Sequence, residues 1–99
     1  LVFNNKENIV FDNIEYCMID FNSIHQEIMK TLYNKDVHSL IIEGGRETLQ
    51  SFIDIDLWDE ARVFIGNQYL KNGVHAPKIK EKHISEKIVS SDLLRRYRR

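Results

Sequence analysis

The chain has 99 residues, 42% of them hydrophobic and 10% aromatic, which is the composition of one small folded domain rather than of a disordered segment. Its 14 basic and 15 acidic residues leave a net charge of −1, so the composition argues against a nucleic-acid or membrane-surface binder. A lone cysteine, Cys17, forms no internal disulfide, and no apolar run reaches the roughly 18–20 residues of a membrane span. The expectation is therefore a reducing, cytoplasmic setting with no membrane and no nucleic-acid partner.

The chain opens on LVFNN as though already inside a strand and reads as a piece of a longer protein. Leu1–Phe3 is a short strand, NNKEN a polar turn, and Ile9–Phe11 a second apolar run before the turn residues FDN. Ile14–Phe21 alternates as a strand. Ile14, Tyr16 and Met18 fall on one face, with Cys17, Ile19 and Phe21 on the other. Both faces are apolar, which predicts cover on both sides and a buried, unreactive Cys17.

Ser23-Ile24-His25-Gln26 has the form of a capping box, in which the serine hydroxyl accepts from an amide of the first turn and the glutamine reaches back. Ile24, Ile28 and Leu32 then recur at helical spacing, so a helix is predicted from Ser23 to about Asn34, with His25 exposed and without catalytic duty. Asn34-Lys35-Asp36 ends it. Val37–Ile42 follows, and its unbroken Leu40-Ile41-Ile42 predicts a central strand buried on both faces within a right-handed βαβ unit.

A second helix begins after Gly44-Gly45, carries Leu49, Phe52 and Ile53 on one face, and stops near Asp54–Asp56. Leu57-Trp58-Asp59-Glu60 is a turn into a strand over Ala61–Ile65. Residues 66–78 read as a loop, and Ile84–Val89 with Leu93–Arg99 as an antiparallel pair around Ser90-Ser91-Asp92. The tail LLRRYRR holds four arginines in its last five residues and is read as a solvated terminal strand, with an RNA-binding tail as the lesser alternative.

The stretch SLIIEGGRETLQSF (Ser39–Phe52) carries the sharpest signal. Ligands of open α/β sheets gather at the carboxyl ends of parallel strands. Glu43, Gly44 and Gly45 sit at such an end, where the next helix turns its unpaired amides and positive dipole end back toward them. Glycine lets a phosphate approach the backbone, and the amides from Gly45 to about Leu49, with the Thr48 hydroxyl and Arg46, are suited to a pyrophosphate. A glycine turn with Glu43 as a helix cap is the competing structural reading. His38, His75 and His83 lack metal-ligand spacing, so no metal site is expected.

IIEGG, ETLQSFI, LWDEARVFI and the NG…APKI loop together resemble the reductase domain of the bifunctional riboflavin-biosynthesis deaminase-reductase. SSDLLRRYRR looks like that family's last strand. The resemblance spans nearly the whole chain, with Ser39–Ile79 its specific part. It implies a dihydrofolate-reductase-like α/β fold with parallel central strands flanked by helices and a C-terminal antiparallel strand pair, incomplete at the N-terminal end.

The resemblance further implies NADPH-dependent reduction of the ribose of 5-amino-6-(5-phosphoribosylamino)uracil. Glu43 matches the substrate-contacting acid. Gly44, Gly45, Arg46, Glu47, Thr48, Leu49, Gln50 and Ser51 match the segment that holds NADPH. No residue is assigned as proton donor. A homodimer is implied as well, with Trp58 either its anchor or a core residue. A pteridine or dihydrofolate-type reductase shares the same turn and stands as an alternative, as does a non-catalytic dimerisation fragment. The zinc deaminase signature is absent, since one cysteine cannot build that site.

Overall fold

The computed structural model describes residues 1–99 as two compact units, Leu1–Ile41 and Ile42–Arg99. The first holds strands β1 (Val2–Asn4), β2 (Ile9–Phe11) and β3 (Ile14–Met18), a 3₁₀ turn at Phe21–Ser23, and helix α1 (Ile24–Asn34). The second holds helix α2 (Arg46–Asp54) and strands β4 (Glu60–Ile65), β5 (Ser85–Val89) and β6 (Asp92–Arg98).

In the first unit β3 is central, parallel to β1 and antiparallel to β2. The Asn4 carboxamide shapes the β1–β2 connection, accepting from the amides of Lys6 and Glu7. Cys17 and Ile19 are buried, as the sequence predicts for the cysteine. Burial is concentrated on their face. Lys35, just past α1, reaches Glu15 on that same face at 2.6 Å, while Ile14 and Met18 on the opposite face are exposed. Two-sided cover of this strand is thus corrected: the face of Ile14 and Met18 is open to solvent, and burial falls on the face of Cys17 and Ile19.

Helix α1 begins and ends close to the predicted bounds, but not by the predicted cap. Ser23 stands at the N-cap without a side-chain hydrogen bond. Asp20 instead caps the preceding 3₁₀ turn by accepting from the Asn22 amide at 2.9 Å. An acid one turn upstream satisfies the entry, and the Ser–Gln box has no role left.

Both helices stop in the same way. The amides of Asp36 and Val37 donate to the Tyr33 and Leu32 carbonyls, and those of Asp56 and Leu57 to the Ile53 and Phe52 carbonyls. This is the paired bonding of a Schellman motif, with an aspartate at φ 61° or 58° where glycine is usual.

Val37–Ile42, expected as a central parallel strand, forms no ladder. Residues 37–45 have no regular structure, and Leu40 and Ile41 are 48% and 81% exposed. The physical reason is that a strand exists only through partners for its N–H and C=O groups. The strands of both units pair among themselves and leave this segment none, so no βαβ unit forms around it. The one parallel pairing is β1 with β3.

In the second unit β6 is central and antiparallel to both β4 and β5. The predicted terminal pair is present, turned at Ser90-Ser91 with Ser90 at φ 58°. Phe52 of α2 is buried. The arginine tail is built into this sheet: Arg95 pairs with Glu86, Arg96 with Glu60, and Arg99 donates to the Trp58 carbonyl at 2.7 Å. The architecture as a whole is mixed α/β, with two three-stranded sheets and two helices.

Candidate cofactor and substrate site

Helix α2 starts at Arg46, with Gly45 as N-cap in extended conformation (φ −63°, ψ 177°) and no side chain capping it. The first backbone bond of the helix runs from the Leu49 amide to the Gly45 carbonyl at 3.1 Å. The amides of Arg46, Glu47 and Thr48 precede it and have no partner within the helix. The amides available to an anion therefore end at Thr48, one residue short of the predicted Leu49.

The two glycines differ. A Cβ on Gly44 would meet Thr48 Cβ at 3.1 Å and Cγ2 at 3.2 Å, so the close approach of the Thr48 side chain favours glycine there. A Cβ on Gly45 would meet nothing within 4 Å, and the Gly45 backbone angles suit any residue. Neither packing nor conformation asks for glycine at 45. Glycine at the N-cap adds no side chain beside the helix start, which suits the approach of a phosphate to the backbone amides.

Glu43 is exposed, and its carboxylate makes no hydrogen bond or ion pair with the chain. Since α2 has no side-chain cap, the capping reading of Glu43 does not hold. Arg46, Glu47 and Thr48 are exposed on the first turn, and the Glu47 carboxylate offsets the Arg46 charge there. Leu49 is half-buried on the apolar side. The Ser51 hydroxyl donates to the Thr48 carbonyl at 2.7 Å. Gln50 is engaged elsewhere: its carboxamide meets the backbone of Lys78 and the carboxylate of Asp54.

That engagement shapes an open groove of about 550 Å³ along α2, lined by Arg46, Gln50, Ile53, Lys78, Lys80 and Glu81 among others. The sequence reading missed the Lys78–Glu81 wall. Its signal was the basic APKIK run, whose place beside α2 is set by Gln50 28 residues away. One oxygen of Glu81 is enclosed there without a hydrogen-bond partner. Apart from the groove, the indole N–H of half-buried Trp58 is also enclosed without one. No group of three or more histidine, cysteine, aspartate or glutamate side chains gathers as for a metal ion. No helix is long and apolar enough to cross a membrane.

The arrangement suits recognition of a phosphorylated ligand at a helix start, with a free carboxylate two residues before the N-cap. Against known families, residues 5–70 match the model of the RibD C-terminal domain. The chain belongs to this family. The matched span takes in the Glu43-Gly44-Gly45 turn, α2 and β4, and ends before the β5–β6 hairpin. Searches of curated proteins and of solved structures returned no match.

Membership in the RibD C-terminal domain family implies a reductase-type function in riboflavin biosynthesis, and reductase domains of this family generally bind a nicotinamide cofactor. The residues present fit such a group. Gly45 to Thr48 provide a clear approach and unpaired amides, and the chemistry of that set is anion recognition. It offers no metal ligands.

Proposed function

We propose that the segment Glu43–Ser51 is the cofactor wall of an NADPH-dependent reductase acting on 5-amino-6-(5-phosphoribosylamino)uracil, whose ribose is opened and reduced to the ribityl side chain. The observation that carries the reading is Gly45, a glycine required by neither fold nor packing, at the N-cap of a helix whose first three amides have no partner within it. When bound, the cofactor supplies the hydride, the hard step of the chemistry.

The residues of the chain bind and orient. The amides of Arg46, Glu47 and Thr48, with the Thr48 hydroxyl, hold the pyrophosphate. Gly44 keeps Thr48 close against the turn, and Gln50 and Ser51 act behind them by holding Lys78 and the Thr48 carbonyl. The uncommitted carboxylate of Glu43 hydrogen-bonds polar groups of the pyrimidine or ribose and sets the substrate against the nicotinamide. A dihydrofolate-reductase-like arrangement, which the family implies, completes the cleft.

The test is Glu43→Gln in the reductase that contains this segment, with turnover of the pyrimidine substrate and NADPH affinity measured separately. Substrate use is expected to fall by at least about tenfold, the scale of one charge-assisted hydrogen bond, with NADPH affinity nearly unchanged. Equal losses in both would remove Glu43 from the substrate side.

A further inference from the structure

The sheet of the second unit carries a charge arrangement that the cofactor site does not use. In the β4–β6 register Arg62 stands directly across from Arg96, and Glu60 across from Arg98. Ser85 of β5 stands opposite Arg96 on its other side. Alternation along a strand puts Glu60, Arg62 and Phe64 on one face, with Arg96 and Arg98 beside them.

Like charges directly opposite in a ladder repel. Here one carboxylate oxygen draws two together: Glu60 Oε1 accepts from Arg62 Nε at 2.9 Å and from Arg96 Nε at 3.1 Å. Those hydrogen bonds, Arg62's first, hold the Glu60 carboxyl below the usual carboxylate range, so it is ionised at neutral pH. Two other paired cations each have a carboxylate of their own: Lys35 has Glu15, and Arg95 has Glu86, which His83 also approaches at 3.3 Å. The Glu60 cluster has two guanidinium groups for one acid, before Arg98 is counted.

Both arginines meet Glu60 through Nε. Their terminal nitrogens make no hydrogen bond within the chain, and the side chains are 64% and 38% exposed. Paired guanidinium groups with free terminal N–H groups and uncompensated charge match the oxygens of a tetrahedral oxyanion. We infer that Arg62 and Arg96, aligned by Glu60, form a binding site for a phosphate group, of a phosphate monoester or of inorganic phosphate. Arg98 adds charge at its margin. Phe64, 60% exposed and two residues along the same face from Arg62, offers an apolar surface to the organic part of an ester.

The site is tested on the full chain by NMR of the arginine Nε–H groups. Inorganic phosphate, then ribose 5-phosphate, is titrated against chloride at constant ionic strength. Saturable shifts are expected for Arg62 and Arg96, with Arg95, which is committed to Glu86, unmoved. Tighter binding of ribose 5-phosphate identifies an ester site, and equal affinity a site for the phosphate group alone.

Arg62→Lys and Arg96→Lys keep the charge but lose the planar fork, and each is expected to weaken binding by about tenfold. Retained β4–β6 cross-strand contacts in their spectra show that the sheet persists. No saturable shift in the wild-type chain, a uniform response of all arginines, or unchanged affinity in both lysine variants overturns the inference.

Discussion

The side-chain amide of Gln50 pairs with the backbone of Lys78 as one strand pairs with another: the Lys78 amide donates to Gln50 Oε1 at 2.7 Å, and Gln50 Nε2 donates to the Lys78 carbonyl at 3.2 Å. A helix side chain thereby fixes one wall of the groove along α2. Gln50→Ala removes both bonds and leaves the Lys78 backbone to water. Amide exchange at Lys78 is expected to accelerate by at least about fivefold, for a loss of about 1 kcal/mol, with α2 intact. Unchanged exchange would mean the wall is held by other contacts.

The two glycines before α2 give opposite outcomes on substitution. Gly44→Ala brings a Cβ to 3.1 Å from Thr48 Cβ, and a β-branched residue in a helix has little rotamer freedom to yield. A loss of about 1–2 kcal/mol is expected in urea unfolding. Gly45→Ala meets open space at ordinary backbone angles, so stability is expected to stay within about 0.5 kcal/mol. NADPH affinity, followed by cofactor fluorescence, is expected to fall by about tenfold for Gly45→Ala, since a side chain is added at the N-cap of the proposed phosphate turn.

The charge clusters give the protein a pH dependence with opposite signs at its two ends. Hydrogen bonds from Arg62 and then Arg96 lower the Glu60 pKa. Its contribution is therefore present above the unfolded carboxylate value of about 4.3, and is lost as pH falls through the lower folded value. The hydrogen bond to Glu15 raises the Lys35 pKa. That contribution is present below the unfolded lysine value of about 10.4, and is lost as pH rises through the higher folded value. Glu60→Gln is expected to flatten the acid limb of a stability-against-pH curve and leave the alkaline limb alone. Lys35→Met is expected to do the reverse. An unaltered acid limb in Glu60→Gln would show that the pair contributes nothing to stability.

Aspartates Asp36 and Asp56 hold left-handed angles at the ends of α1 and α2, a conformation glycine adopts without strain. Asp36→Gly and Asp56→Gly are each expected to stabilise by about 0.5 kcal/mol, strain relief being partly offset by the freer unfolded chain. Thermal unfolding with a lowered midpoint in both variants would show that the aspartate side chains do more than occupy these positions.

Much of this protein is legible in its sequence because local rules suffice. The Ile24–Ile28–Leu32 spacing marks α1, and the apolar face of Leu49 and Phe52 marks α2. The turn residues at Ser90-Ser91 mark the terminal hairpin, and the setting of Cys17 its burial. The motifs around Glu43-Gly44-Gly45 identify the family, which the match over residues 5–70 shows. Each of these signals is contained within a few consecutive residues.

What only the tertiary structure decided depends on partners distant in the chain. Leu40-Ile41-Ile42 has the composition of a buried strand, yet strand formation needs a ladder, and none reaches it. Ser23 and Gln26 have the spacing of a cap that Asp20 makes unnecessary. Gln50 belongs to the cofactor segment by position, but its carboxamide is directed to Lys78. Glu60 lies beside Arg62 in sequence, and only the β4–β6 register brings Arg96 to the same oxygen. Propensity and pattern act along the chain, whereas hydrogen-bond partners and charge neighbours are set by which strands meet and in what register.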